Sequence, residues 1–134
     1  MSPIASAAAP NRRRIYLFLL IAWMSLTFLL TSLPNPRVPH LFSFEDKAAH
    51  LGFYAVMGFL CGLWRRESGA SAGRAVLEAL LFTACAGAVD EVHQHWIPGR
   101  SMELIDWIMD ILGGGLGGWF SMLLPPVFPF LLTE

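Results

Sequence analysis

The chain has 134 residues and a formal net charge of −1, with 55% hydrophobic and only 14% charged residues. Soluble domains carry about a quarter charged residues, so this composition favours a membrane protein, and the length favours one domain. A net charge near zero excludes general attraction to polyanions, and we expect no nucleic-acid partner. Cys61 and Cys85 lie inside apolar runs. That placement is typical of small buried side chains rather than of a disulfide.

The first membrane helix is predicted over residues 15–33. Residues 1–14 are rich in Ala, Ser and Pro and end in three arginines, so we expect a disordered cytoplasmic tail there. Residues 15–33 contain no charge, and a helix of that length rises about 28 Å, close to the thickness of a hydrocarbon core. The segment also resembles a signal peptide. However, it exceeds the usual apolar stretch of about 7–15 residues, and no A-x-A site follows it.

Three further helices are predicted from apolar runs separated by loop signals. Pro34 and Pro36 end the first helix, a Gly/Ser/Ala segment separates the second from the third, and Pro98-Gly99 forms a turn before the fourth. The predicted spans are 46–64, 74–95 and 105–124. We therefore expect an all-α polytopic membrane protein, a bundle of four transmembrane helices over residues 15–124. A short C-terminal tail, 125–134, follows.

Positive charge predicts the orientation of this bundle. The N-terminal tail holds three arginines, and the loop between the second and third helices holds Arg65, Arg66 and Arg74. The other two loops hold only Arg37, Lys47 and Arg100. Because positive residues favour the cytoplasmic side, we expect a multi-pass protein of the bacterial inner membrane with both termini in the cytoplasm.

In this topology, polar residues distant in sequence meet at the extracytoplasmic ends of three helices. They are Asp46, Lys47 and His50 on the second helix, Asp90, Glu91 and Gln94 on the third, and Arg100, Glu103, Asp106 and Asp110 around the start of the fourth. An ionisable side chain facing lipid costs at least a few kcal/mol. Asp90, Glu91 and Asp110, which should lie deepest in the bilayer, are therefore expected to point inward. Asp46, Lys47 and Glu103 are also compatible with ordinary solvated helix ends, and a structural ion-pair network is the alternative for the deeper carboxylates.

These residue types suggest two kinds of site. Asp90 and Glu91 with His50 are the catalytic candidates, since a histidine beside a carboxylate can carry protons near neutral pH. His50 could bond to Asp90 or to Asp110. The binding candidates are Asp46, Lys47, Gln94, Arg100, Asp106 and Asp110, of which Lys47 and Arg100 suit a phosphate. His50, His93 and several carboxylates are suitable ligand types for a divalent cation, but no H-E-x-x-H motif is present. We therefore assign no metal, and metal binding stays an open alternative. The sequence identifies no cofactor and leaves open whether any reaction is catalysed.

The fourth helix carries a glycine run from Gly113 to Gly118. Gly113 with Gly117, and Gly114 with Gly118, have the spacing that lets helices approach closely. This pattern predicts helix packing, either within the bundle or between subunits, so a homo-oligomer through the fourth helix is one expectation.

The ordered set of polar motifs resembles the VanZ-like family over residues 15–124. The set comprises Asp46-Lys47-x-x-His50, Asp90-Glu91-x-x-Gln94, Pro98-Gly99-Arg100 and Asp106-x-x-x-Asp110-x-x-Gly113. The family pattern often has Asn at the position of Asp110, so an acid there is a departure. The resemblance implies a small bacterial membrane protein of a family named for a protein that lowers sensitivity to teicoplanin. It implies no established reaction.

From the site and the resemblance together, we expect a protein of the cell envelope whose outward-facing polar site binds or acts on a lipid. Membrane lipids and lipid-linked cell-wall precursors are the expected partners, with a possible effect on sensitivity to glycopeptide antibiotics. Two alternatives stay open at this point: an ion or proton conduit, and a structural accessory subunit of a membrane complex.

Overall fold

The computed structural model describes residues 5–34 and 44–123, with side chains from residue 12 onward in those ranges. The described residues form four helices and no strand: α1 (Ala5–Thr31), α2 (Glu45–Glu67), α3 (Ala72–Gln94) and α4 (Leu104–Leu123). The all-α prediction is therefore confirmed for this part of the chain. Arg37 and the predicted C-terminal tail, 125–134, lie outside the described residues.

Three helices begin and end within a few residues of their predicted bounds, and α1 differs. It begins at Ala5 rather than at the predicted Ile15, so residues 5–14 are helical where we expected an irregular tail. Alanine is the best helix former, and this stretch is rich in it. Extending an existing helix is also easier than nucleating a new one.

The turn between α2 and α3 sets these helices side by side. Gly69 has a φ of +96°, the left-handed conformation that glycine adopts without strain. The amide of Ala70 donates to the Arg65 carbonyl and that of Gly69 to the Arg66 carbonyl, each at 3.0 Å, which is a Schellman C-cap. Ser71 then caps α3 by accepting from the Arg74 amide. The chain thus reverses within a few residues.

Glycines allow α4 to pack closely against α2. A Cβ atom at Gly117 would lie 2.7 Å from the carbonyl carbon of Ala55, and one at Gly58 would lie 2.7 Å from the Cα atom of Gly114. Gly113, Gly114, Gly117 and Gly118 are all buried. These glycines therefore pack helices within one chain. A homo-oligomer through α4 stays a prediction, and its contact would have to use the outward face of α4 instead.

The molecule has large apolar side chains on its exterior and polar ones in its interior. Phe18, Leu104 and Val89 are more than half exposed, at 69%, 67% and 62%. By length and composition, one helix of the described residues is apolar enough to cross a membrane, over Arg12–Thr31. Four membrane spans therefore stay a prediction at this stage.

Candidate functional site

Four carboxylates from two helices are buried at one end of the bundle. Asp90, Glu91, Asp106 and Asp110 have exposed fractions of only 0–3%. They come together because α3 ends where α4 begins, and α2 begins at the same end with His50 in its second turn. The antiparallel arrangement of the helices therefore produces the convergence that we expected from the sequence.

His50 is at the centre of this cluster. Its Nδ1 atom lies 2.7 Å from Asp110 Oδ1 and 3.8 Å from Glu91 Oε1. Its Nε2 atom lies 3.8 Å from Asp106 Oδ2. One imidazole thus contacts carboxylates of both α3 and α4, and its hydrogen-bond partner is Asp110 rather than Asp90.

Lys47 pairs with two carboxylates at the edge of the cluster. Its Nζ atom donates to Glu103 Oε2 at 2.6 Å and to Asp106 Oδ1 at 2.9 Å. The hydrogen bond from Lys47 holds the pKa of the Glu103 carboxyl below its ordinary value. Lys47 is therefore already paired with carboxylates, so a phosphate would have to compete with them for it.

Asp90 faces α1 rather than His50. It accepts hydrogen bonds from the hydroxyl groups of Thr31 and Tyr54. The ring of Phe28 also lies 4.6 Å from that of His93, next to this contact. The C-terminal end of α1 is thereby joined to the end of α3.

Several buried polar atoms of the cluster have no hydrogen-bond partner within the part of the chain that the structure describes. Glu91 Oε2 accepts from the Glu103 amide at 3.1 Å, but Glu91 Oε1, Asp110 Oδ2 and Gln94 Nε2 have no partner among these residues. Among the described residues, Lys47 and His50 are the ion-pair partners of Glu91, Asp106 and Asp110. A buried charge left without compensation is destabilising by several kcal/mol, so the site requires a proton, a water molecule or a cation to complete it.

Two of the predicted binding residues, Asp46 and Arg100, line a small cavity beside this cluster. Asp46 is exposed, and the Nε atom of Arg100 donates to the Leu33 carbonyl at 3.1 Å. With His50 and Tyr54 they border a cavity of about 150 Å³ between α1 and α2. The predicted binding residues thus lie at two depths: Asp46 and Arg100 at the cavity, and Gln94, Asp106 and Asp110 buried behind it.

A larger apolar groove lies on the other side of Tyr54. It has a volume of about 720 Å³ and runs between α1, α2 and α3. Its walls include Met24, Phe28, Met57, Phe82, Ala86 and Val89, and it reaches Asp90 at its polar end. Thr27 and Tyr54 border both the groove and the small cavity. The two spaces are therefore neighbours, with these residues between them.

Two residues of the site were missed from the sequence. Thr31 ends an apolar helix, and only its distance from Asp90 in space gives it a role. Gly87 makes room for Asp110, because a Cβ atom at this position would lie 2.9 Å from the Cβ atom of Asp110. A single glycine one turn before Asp90-Glu91 was the signal that could have indicated this close contact.

The VanZ/LLP1 family model matches residues 16–125, which is most of the chain. The chain belongs to the VanZ/LLP1 family. The resemblance that we drew from the polar motifs is therefore confirmed, and the match includes α2, α3 and α4 with every buried acid described above. Neither a curated protein nor a solved structure matches this VanZ-family chain.

Proposed function

We propose that this VanZ-family protein crosses the cell membrane four times and binds an envelope lipid at the outer ends of its helices. The headgroup would occupy the small cavity at Arg100 and Asp46, and an acyl or prenyl chain would occupy the apolar groove. The observation that carries this proposal is that Thr27 and Tyr54 border both the small cavity beside His50, Asp46 and Arg100 and the apolar groove. An amphiphile is the class of molecule that fits both.

The distribution of polarity supports the membrane placement. The side chains that face outward from the bundle are mostly large and apolar, while buried positions hold acids, His50 and glycines. Exposed apolar surface of this extent marks contact with lipid or with other proteins. The buried acids and His50 reduce the mean hydropathy of α2, α3 and α4, yet they point inward and would not meet lipid tails.

The groove has the size of a ligand site but contributes little affinity by itself. Its volume falls within the range of about 300–1,000 Å³ that is usual for small-molecule sites. A chain that moves into it from the bilayer leaves one apolar surrounding for another, so no hydrophobic driving force arises. Affinity must therefore come from the headgroup.

Charge at the cavity indicates the headgroup chemistry. The guanidinium of Arg100 offers a planar fork that suits a phosphate. The Asp46 carboxylate can only accept hydrogen bonds when ionised, so it favours hydroxyl or ammonium groups. We therefore propose a phospholipid or a lipid-linked cell-wall precursor that carries phosphate together with hydroxyl or amino groups.

A test of this proposal fills the groove and leaves the polar site intact. Ala86→Trp places an indole in the groove, whereas Ala48→Trp makes the same change at an exposed position of α2. We expect lipid that co-purifies in mild detergent, measured by mass spectrometry, to fall about fivefold or more in Ala86→Trp and to be unchanged in Ala48→Trp. Arg100→Ala should reduce it about tenfold or more, as expected for a charge-assisted hydrogen bond. Equal retention by all four proteins would refute the proposal.

The orientation is tested by cysteine labelling. In a variant with Cys61 and Cys85 replaced by Ala, single cysteines at Ser101 and Gly73 would probe the two ends of α3. We expect a membrane-impermeant maleimide to label Ser101→Cys in intact cells and Gly73→Cys only after permeabilisation, because the Arg-rich end should face the cytoplasm. The reverse pattern would place the polar site on the cytoplasmic side.

A catalytic form of this proposal uses the buried residues Glu91, Asp90 and His50. Glu91 or Asp90 would accept a proton with His50 as its carrier, and the bound lipid would be converted rather than only retained. An effect on teicoplanin sensitivity, which the family name suggests, would then follow from altered availability of the lipid.

The conduit alternative has less support, because the core beyond the cluster is formed by Met57, Cys61 and Ala79. The accessory-subunit alternative has no observation in its favour.

A further inference from the structure

We propose that His50, Glu91 and Asp110 bind a divalent transition-metal ion, Zn²⁺ or Mn²⁺, in the buried cluster. Each residue offers one ligand atom, and these atoms all lie within 4.8 Å of one another. This site is independent of the lipid proposal, because its ligands lie behind the cavity, and of the three only His50 borders that cavity.

The distances between these ligand atoms suit such an ion. Metal–ligand distances of about 2.0–2.2 Å put neighbouring ligand atoms about 3–4.4 Å apart. His50 Nδ1 lies 3.8 Å from Glu91 Oε1 and 2.7 Å from Asp110 Oδ1. Insertion of an ion would replace the His50–Asp110 hydrogen bond and widen that pair by less than about 2 Å, within the reach of a side-chain rotation.

An unsatisfied atom provides the second line of support. Glu91 is a buried side chain, 4% exposed, and its Oε1 atom lies toward His50 with no hydrogen-bond partner in residues 5–34 and 44–123. Its other oxygen is fixed by the Glu103 amide. Asp110 Oδ2 also has no partner. Buried polar atoms are nearly always satisfied, and a cation between His50, Glu91 and Asp110 would satisfy Glu91 Oε1.

The surrounding residues resemble the outer layer of a metal site. Ligating histidines usually direct their second nitrogen toward a carboxylate, which orients the ring. Here His50 Nε2 lies 3.8 Å from Asp106 Oδ2, and Asp106 is held in turn by Lys47. A divalent ion would also balance the excess of buried negative charge.

The chemistry of the ligands selects the ion. Imidazole together with carboxylates suits Zn²⁺ and Mn²⁺, whereas Ca²⁺ and Mg²⁺ prefer oxygen ligands alone. The ligands come singly from α2, α3 and α4, so no linear motif such as H-E-x-x-H reveals them. Three protein ligands leave a position for water or for a substrate oxygen.

The test titrates metal into the full-length protein, purified in detergent and treated with a chelator. Bound Zn²⁺, Mn²⁺ and Mg²⁺ are measured by mass spectrometry of the metal and by calorimetry. We expect about one Zn²⁺ or Mn²⁺ per chain and no Mg²⁺. Glu91→Gln and His50→Gln should weaken binding about 100-fold or more. Glu67→Gln and His95→Gln make the same changes away from the cluster and should bind like the unaltered protein.

The proposal fails if the unaltered protein binds no more Zn²⁺ or Mn²⁺ than Glu91→Gln and His50→Gln do. If Glu91→Gln or His50→Gln does not elute as a folded protein, Asp110→Asn replaces it. An amide has the same shape as the carboxylate, so this is the mildest change at the site. Ala86→Trp should lose lipid and keep the metal. Loss of one property without the other therefore separates failure of this proposal from failure of the lipid proposal.

Discussion

Gly117→Ala is expected to lower the free energy of unfolding by about 1–3 kcal/mol or more, the range for overpacking a close interface. The added Cβ atom would lie 2.7 Å from the Ala55 carbonyl carbon and 2.8 Å from the Phe59 amide nitrogen. Both are backbone atoms of α2, so no side-chain rotation relieves the contact. The two helices would have to separate.

Gly52→Ala is the matched control for this prediction. It makes the same change on α2, where a Cβ atom would meet nothing within 4 Å. Alanine in an open helical position is favoured over glycine by about 0.5–1 kcal/mol, so Gly52→Ala should be neutral or slightly stabilising. Unfolding of both variants in detergent, followed by circular dichroism, measures the difference. Equal stability of the two would contradict the close contact between α2 and α4.

His50→Ala is expected to destabilise the protein by about 3–5 kcal/mol, as is usual when one partner of a buried ion pair is removed. The variant leaves Asp110 without its hydrogen-bond donor, and it leaves Glu91 and Asp106 without the imidazole beside them. Those carboxylates would then have to bind protons or admit water. The measurement is chelator-treated protein unfolded in detergent, so that metal binding does not contribute.

A double-mutant cycle separates this effect from simple loss of packing. If the His50–Asp110 pair accounts for the loss, His50→Ala combined with Asp110→Ala should be less destabilised than the sum of the two single variants, by about 1–3 kcal/mol. Additive losses would show that the two residues are not coupled. In that case the short contact between them would have no energetic role.

The general form of the fold was predictable because local signals were strong. Pro34, the Gly/Ser loop and Pro98-Gly99 separate the apolar segments. The order and approximate ends of α2, α3 and α4 therefore followed from these helix-breaking residues and from the lengths of the apolar segments between them. The start of α1 was not predictable in the same way. The helix that begins at Ala5 depends on the helix propensity of its alanines alone, because this stretch has no periodic pattern of apolar residues.

The site was predictable as a group of residues but not as a set of pairs. Antiparallel helices must bring Asp90, Asp106 and His50 to one end, whatever their exact packing. Helix rotation decides which carboxylate meets His50, and that depends on the glycines and on Gly87 beside Asp110. Lys47 illustrates the same limit: its charge was evident, but its pairing with Glu103 and Asp106 required coordinates.

The attachment of α1 has a kinetic consequence. This helix packs mainly on α2, through Trp23 and Phe53, and meets α3 only marginally, at the end where Thr31 contacts Asp90. The groove between α1 and α3 is therefore a lateral opening along the side of the bundle. A molecule in it would exchange without unfolding α2, α3 and α4, and its residence time would depend on the few contacts that hold the end of α1.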